Sequence, residues 1–137
     1  MAGRFGAVRL GESTAQALER EIARRLDLVL LWTRRRNLVL IGVDVRRGSD
    51  PWRPVVTKPI AEGDGELTVD LGSEAPGTIT IRFSVGALSE VSKIAAFVVQ
   101  AGRVTKLAPA KPGEFKHLKA GDRWPVEASY DVAPPLA

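Results

Sequence analysis

Polar and apolar positions alternate with period two over most of the chain, which is how a half-buried β-strand reads. Ile79, Ile81, Phe83 and Val85 alternate with Thr78, Thr80, Arg82 and Ser84. Leu67, Val69 and Leu71 alternate in the same way with Glu66, Thr68 and Asp70, and Gly72 to Gly77 joins the two stretches. Leu38 to Val45 reads as a strand that is apolar on both faces at first and polar on one from Asp44 onward. Lys93 to Gln100 and Arg103 to Leu107 flank Ala101-Gly102 as a tight hairpin. Val126, Ala128, Tyr130 and Val132 form a last alternating strand after Gly121-Asp122. Turn formers separate the strands at Gly48-Ser49-Asp50-Pro51, Glu62-Gly63-Asp64-Gly65 and Pro109-Ala110-Lys111-Pro112-Gly113. Short strands in this rhythm, with no βαβ alternation, predict an antiparallel β-sandwich.

The beginning of the chain has another period. Ala15, Leu18, Ile22, Leu26, Val29, Leu30 and Thr33 recur at spacings of three and four, so the reading is an amphipathic α-helix over residues 13–33, packed on the sandwich. Ser13 followed by Gln16 fits a capping box. From Leu28 to Trp32 the run suits a strand equally well, because a short apolar stretch does not separate the two periods. The expected organisation is one mainly β domain over 1–137: an arm (1–12), the helix (13–33), the sandwich (38–132) and a tail (133–137). A chain of 137 residues is one ordinary domain, since these run to roughly 100–150 residues.

Composition removes most chemistry. With no cysteine there is no disulfide, zinc–thiolate site or thiol nucleophile, and one histidine, His117, leaves little for imidazole chemistry. No phosphate loop, dinucleotide fingerprint, nucleophile elbow or His-Glu-x-x-His occurs. Gly63-Asp64-Gly65-Glu66 lacks the alternating oxygen ligands of a calcium loop and reads as a turn. The expectation is a protein that is not an enzyme, with no cofactor and no metal. The start lacks an apolar signal core, and no run is long enough to span a membrane. Localisation is left unassigned, with the cytoplasm or an assembled particle as the default.

Charge supplies the candidate site. Residues 1–58 hold twelve Lys/Arg against six Asp/Glu, whereas residues 59–137 hold eight against ten. The arginines cluster, and Arg34, Arg35, Arg36, Arg46, Arg47 and Arg53 together with Trp52 are the candidate binding residues. Guanidinium recognises carboxylate and phosphate with two parallel hydrogen bonds. Trp52, bracketed by Pro51 and Arg53, is read either as a stacking platform or as a side chain folded back onto the sandwich. Trp32 reads as a core residue, and Trp124, at the start of the last strand, as a plug at the sandwich edge.

Leu40-Ile41-Gly42-Val43-Asp44-Val45, then Gly48 and Trp52, follow directly on the amphipathic stretch. Over about residues 14–57 this order resembles the actinoporin-type pore-forming proteins, which have a helix, a Gly-Val-Asp strand, a glycine turn and a tryptophan. The resemblance implies a β-sandwich that meets a membrane through aromatics and a helix that leaves it to line a pore. The chain departs from that family in having a single tyrosine, Tyr130, and no aromatic cluster after Val85.

The expected function is a non-enzymatic binding module, a homo-oligomer or other assembly subunit using its Arg-rich surface. An actinoporin-like protein on an anionic membrane and a glycan-binding sandwich stand as alternatives. Nucleic acid is disfavoured, since basic and aromatic positions do not interleave along the strands.

Overall fold

The structure is a computed structural model and describes residues 24–108 and 117–134. Nine strands follow one another: β1 (Arg25–Leu31), β2 (Leu38–Arg47), β3 (Arg53–Val56), β4 (Ile60–Glu62), β5 (Glu66–Ser73), β6 (Gly77–Ala87), β7 (Ala95–Gln100), β8 (Arg103–Lys106) and β9 (Arg123–Val132). They form two antiparallel sheets. One is four-stranded in the order β5-β1-β7-β8, and the other is five-stranded in the order β3-β2-β6-β9. β4 pairs with the first half of β2 and β3 with its second half, both on the edge opposite β6.

One core fills the space between the sheets. Leu26, Leu28 and Leu30 of β1 and Ala96 and Val98 of β7 face Leu40, Val43, Ile79, Ile81, Phe83 and Val126 from the other sheet, in a single buried cluster. Each fully buried aliphatic or aromatic side chain contributes about 1.5–3 kcal/mol relative to exposure. The Phe83 ring meets Trp124 edge-on, 6.4 Å between centroids and 80° between planes. Trp32 belongs to this core as expected, and Trp124, expected at the sandwich edge, is buried in it as well, each 6% exposed.

Residues 25–31 correct the expected helix. Positions 26, 29, 30 and 33 satisfy a helical spacing, but Leu26, Leu28 and Leu30 satisfy a period of two, and the chain takes the second. Pairing decides the matter, because β1 is bonded to β5 on one side and β7 on the other. The β body therefore begins at Arg25, not at residue 38, and no helix is present among the described residues. The amphipathic positions before Arg24 lie outside the described residues. β3 and β4 are also additions, since their sequences carry no clean alternation.

The two-faced apolar start of β2 has a local cause. A β-bulge between Leu40 and Gly42 switches the inward positions from Leu38 and Leu40 to Val43 and Val45. Gly42 sits where a Cβ would come within 3.3 Å of the Val56 carbonyl, so glycine lets β3 approach. A second irregularity lies between β1 and β5 at Leu26/Asp27. There Asp70 Oδ1 accepts the Gly72 amide at 2.8 Å, and Oδ2 meets Arg25 at 2.6 Å. The Gly72 amide and then the Arg25 guanidinium hold the Asp70 carboxyl below its ordinary value. The β7–β8 turn uses Ala101 at φ 50° and Gly102 at φ 78°, the pair of positive values of a two-residue hairpin with matching twist.

A polar pin crosses between the sheets. Gln100, 3% exposed at the end of β7, accepts the Tyr130 hydroxyl at 2.7 Å and the Ala133 amide at 3.1 Å through Oε1. Its Nε2 donates to the Ala133 carbonyl at 3.0 Å. Truncating it strands a buried hydroxyl, so Gln100→Ala is expected to cost about 1–3 kcal/mol. Urea unfolding checks this: the midpoint falls with the slope unchanged, and an unmoved midpoint would show that the pin contributes nothing.

Candidate binding surfaces

Geometry divides the arginines into three groups. Arg34 to Arg36 precede β2 and Arg46 and Arg47 end it, and a ten-residue strand spans about 30 Å. The candidate residues therefore lie at opposite ends of the sandwich and do not form one patch.

The first group surrounds Trp52. Asp44 and Arg46 point outward from β2, and Arg82 of β6 stands opposite Asp44 in register. Arg82 donates to Asp44 Oδ2 from Nη2 at 2.9 Å and from Nε at 3.2 Å. Gly48, at φ 56°, turns the chain so that Trp52 comes back over this face. The Trp52 ring centroid is then 4.0 Å from the Arg82 guanidinium carbon and 4.3 Å from that of Arg46. Arg46 Nε is buried without a hydrogen-bond partner, so the indole is what its guanidinium gains there. Trp52 is half-buried, folded back in the manner that was one of its two readings.

The second group closes the loop between β5 and β6. Glu74, its side chain 16% exposed, receives Arg53 at 2.8 Å on Oε2 and Arg47 at 3.4 Å on Oε1. Arg47 also donates to the carbonyls of Ala75 at 2.5 Å and Pro76 at 3.0 Å, and Arg53 to that of Leu71 at 3.2 Å. Gly77, at φ 124°, leaves the space: a Cβ there would stand 2.6 Å from Arg47 Nη1. These two arginines tie a connection that crosses between sheets, and their donors are taken up by the chain itself.

The third group is Arg34, Arg35 and Arg36, all exposed on the β1–β2 loop. Among the described residues they make no ion pair, and the Arg36 guanidinium donates to the neighbouring Arg35 carbonyl at 3.3 Å. The loop beneath them is fixed. Trp32 Nε1 donates to the Arg36 carbonyl at 2.8 Å, and the Thr33 amide and hydroxyl both reach the Ser92 carbonyl, at 3.0 and 2.8 Å. Gly65, at φ 90°, packs against the loop, where a Cβ would meet Arg34 at 3.0 Å. Arg35 takes φ 59° at the tip, a conformation that costs a non-glycine residue energy and points to an over-determined turn.

Asp70 and Glu74 are used structurally, Asp70 on Arg25 and Glu74 on Arg47 and Arg53. His117 stands 3.3 Å from Glu90, both exposed. Among the described residues no cluster of three or more His, Asp or Glu could hold a metal, and no helix is long and apolar enough to cross a membrane. Arg82, Asp44 and Glu74 were missed by the sequence reading. Knowing that β2 pairs with β6 would have set Arg82 against Asp44, but that pairing is not visible in either strand alone. No family model, curated protein or solved structure matches the chain.

If Arg47 and Arg53 serve the loop, Glu74→Ala is expected to lower stability by about 1 kcal/mol, small because both guanidiniums are partly solvated. Chemical denaturation measures it, and an unchanged midpoint would return both arginines to the pool of free binding residues.

Proposed function

We propose that this protein is a non-enzymatic interaction module, a subunit of a protein assembly that docks an acidic surface on its Arg34–Arg36 loop. One observation carries the reading: three adjacent exposed guanidiniums have no carboxylate partner among the described residues, whereas Arg25, Arg47, Arg53 and Arg82 each have one. Like charges side by side repel, and the arrangement gains most when a partner brings carboxylates to it. The hydrogen bonds of Trp32 and Thr33 order the backbone before binding, which reduces the entropy lost on association. The net acidic composition of residues 59–137 makes a second copy of the chain an eligible partner.

Trp52, Arg46, Arg47 and Arg53 are not part of this surface. They lie about 30 Å away and are engaged with one another, with Arg82 and with Glu74. A stacking role for Trp52 toward a sugar would compete with the two guanidiniums already against its ring.

Light scattering at several protein concentrations tests the proposal. The wild type is expected above its 14.8 kDa monomer mass at low salt and to dissociate as ionic strength rises. The triple change Arg34→Glu, Arg35→Glu, Arg36→Glu is expected to leave a folded monomer. A wild type that stays at monomer mass throughout and captures no acidic partner would count against the reading.

A further inference from the structure

The arginine loop has an acidic neighbour. At one end of the sandwich two connections cross between the sheets side by side: residues 32–37, which join β1 to β2, and residues 63–65, which join β4 to β5. Their backbones are tied together. The Trp32 amide donates to the Gly65 carbonyl at 3.0 Å, and a Cβ on Gly63 would come within 2.9 Å of Asn37 Oδ1. The flanking strands continue the match, with Leu31 paired to Glu66 and Leu38 to Glu62. The two connections therefore lie near the spacing of bonded strands, about 5 Å. Arg34, Arg35 and Arg36 are exposed on the first, and Asp64 and Glu66 are exposed on and beside the second. Glu62 turns its Oε1 back onto the Gly63 and Asp64 amides, at 2.9 and 3.4 Å, and so shapes the turn. Although acids and bases are neighbours here, none of the ion pairs among the described residues includes Arg34, Arg35, Arg36, Asp64 or Glu66.

We propose that this end of the molecule is self-complementary and binds a second copy of the chain about a two-fold axis. The inference rests on the docking role given above to the Arg34–Arg36 loop, and it supplies the acidic surface that the loop meets. An axis running between the two connections and along them lays each arginine loop over Asp64 and Glu66 of the other copy, so every contact is made twice. The neighbouring acids also select the occupant. A uniformly acidic protein or a phosphate backbone would meet Asp64 and Glu66 together with the arginines, and repulsion at the acids would offset attraction at the loop. A copy turned by the two-fold meets opposite charge at both places. The bond between Trp32 and Gly65 sets the spacing of the basic and acidic connections before association, which lowers the entropy lost on binding.

Two charge reversals in the full-length chain test this. The loop-reversed variant carries Arg34→Glu, Arg35→Glu and Arg36→Glu, and the turn-reversed variant carries Asp64→Lys and Glu66→Lys. All five side chains are exposed, and circular dichroism checks that both variants fold. Each variant alone sets like charges against each other and is expected at the 14.8 kDa monomer mass in light scattering, its self-association weakened about tenfold or more. Mixed one to one, the two present opposite charges at both contacts and are expected to form a dimer of twice that mass, which salt dissociates. A mixture that stays monomeric overturns the proposal, as do masses that grow past the dimer, which would describe an open chain of copies. A turn-reversed variant that self-associates like the wild type also overturns it. With the loop-reversed variant monomeric, that result leaves the arginine loop as a docking surface and places its acidic partner elsewhere. A wild type that stays monomeric and captures no acidic partner fails the loop reading itself. Should the turn-reversed variant not fold, Asp64→Asn with Glu66→Gln takes its place: self-association is expected to weaken several-fold, and undiminished association overturns the proposal.

Discussion

Every feature of this molecule follows from residues 25–31 being a strand that is bonded on both sides. With β5 on one edge and β7 on the other, β1 has its backbone polar groups satisfied within the sheet, which a single surface helix could achieve only without supplying a layer of core. Leu26, Leu28 and Leu30 then close the sandwich from one side, against Leu40, Val43, Ile81 and Phe83 from the other. The same alternation turns Arg25, Asp27, Val29 and Leu31 outward. It also delivers the chain to Trp32, whose buried indole holds the loop on which Arg34 to Arg36 stand.

The arginines show how little a charge count says about a surface. The front of the sequence is basic on paper, yet its guanidiniums have separate occupations. Arg47 and Arg53 hold a sheet-crossing loop through Glu74, and Arg46 and Arg82 pack on Trp52. The three exposed arginines of the β1–β2 loop make no ion pair among the described residues. Exposed ion pairs contribute little each, up to about 1 kcal/mol, so the pairs elsewhere matter more for where they leave charge unspent than for the stability they add.

Much of the β architecture was legible in the chain. β2, β5, β6, β9 and the β7–β8 hairpin were visible because one face of each is buried, or because a two-residue turn needs Gly102. β3 and β4 were not, because short edge strands against β2 bury little and carry no alternation. β1 was read as helix because Leu26, Val29, Leu30 and Thr33 fit 3.6 while Leu26, Leu28 and Leu30 fit 2, and only its partners choose. Of the candidate site, residue types and the strand between Arg34 and Arg46 were readable, and cross-strand partners were not. Arg82 joins Trp52 only through a pairing across 38 positions from Asp44.

The sandwich rests on the conformation of residues 25–31. Nuclear Overhauser contacts in isotopically labelled protein measure it directly. Val29 is expected to show backbone contacts to both Thr68 and Phe97, with weak amide–amide contacts between successive residues from Arg25 to Leu31. Strong sequential amide–amide contacts through that stretch, with no cross-strand contacts, would describe a helix and contradict it.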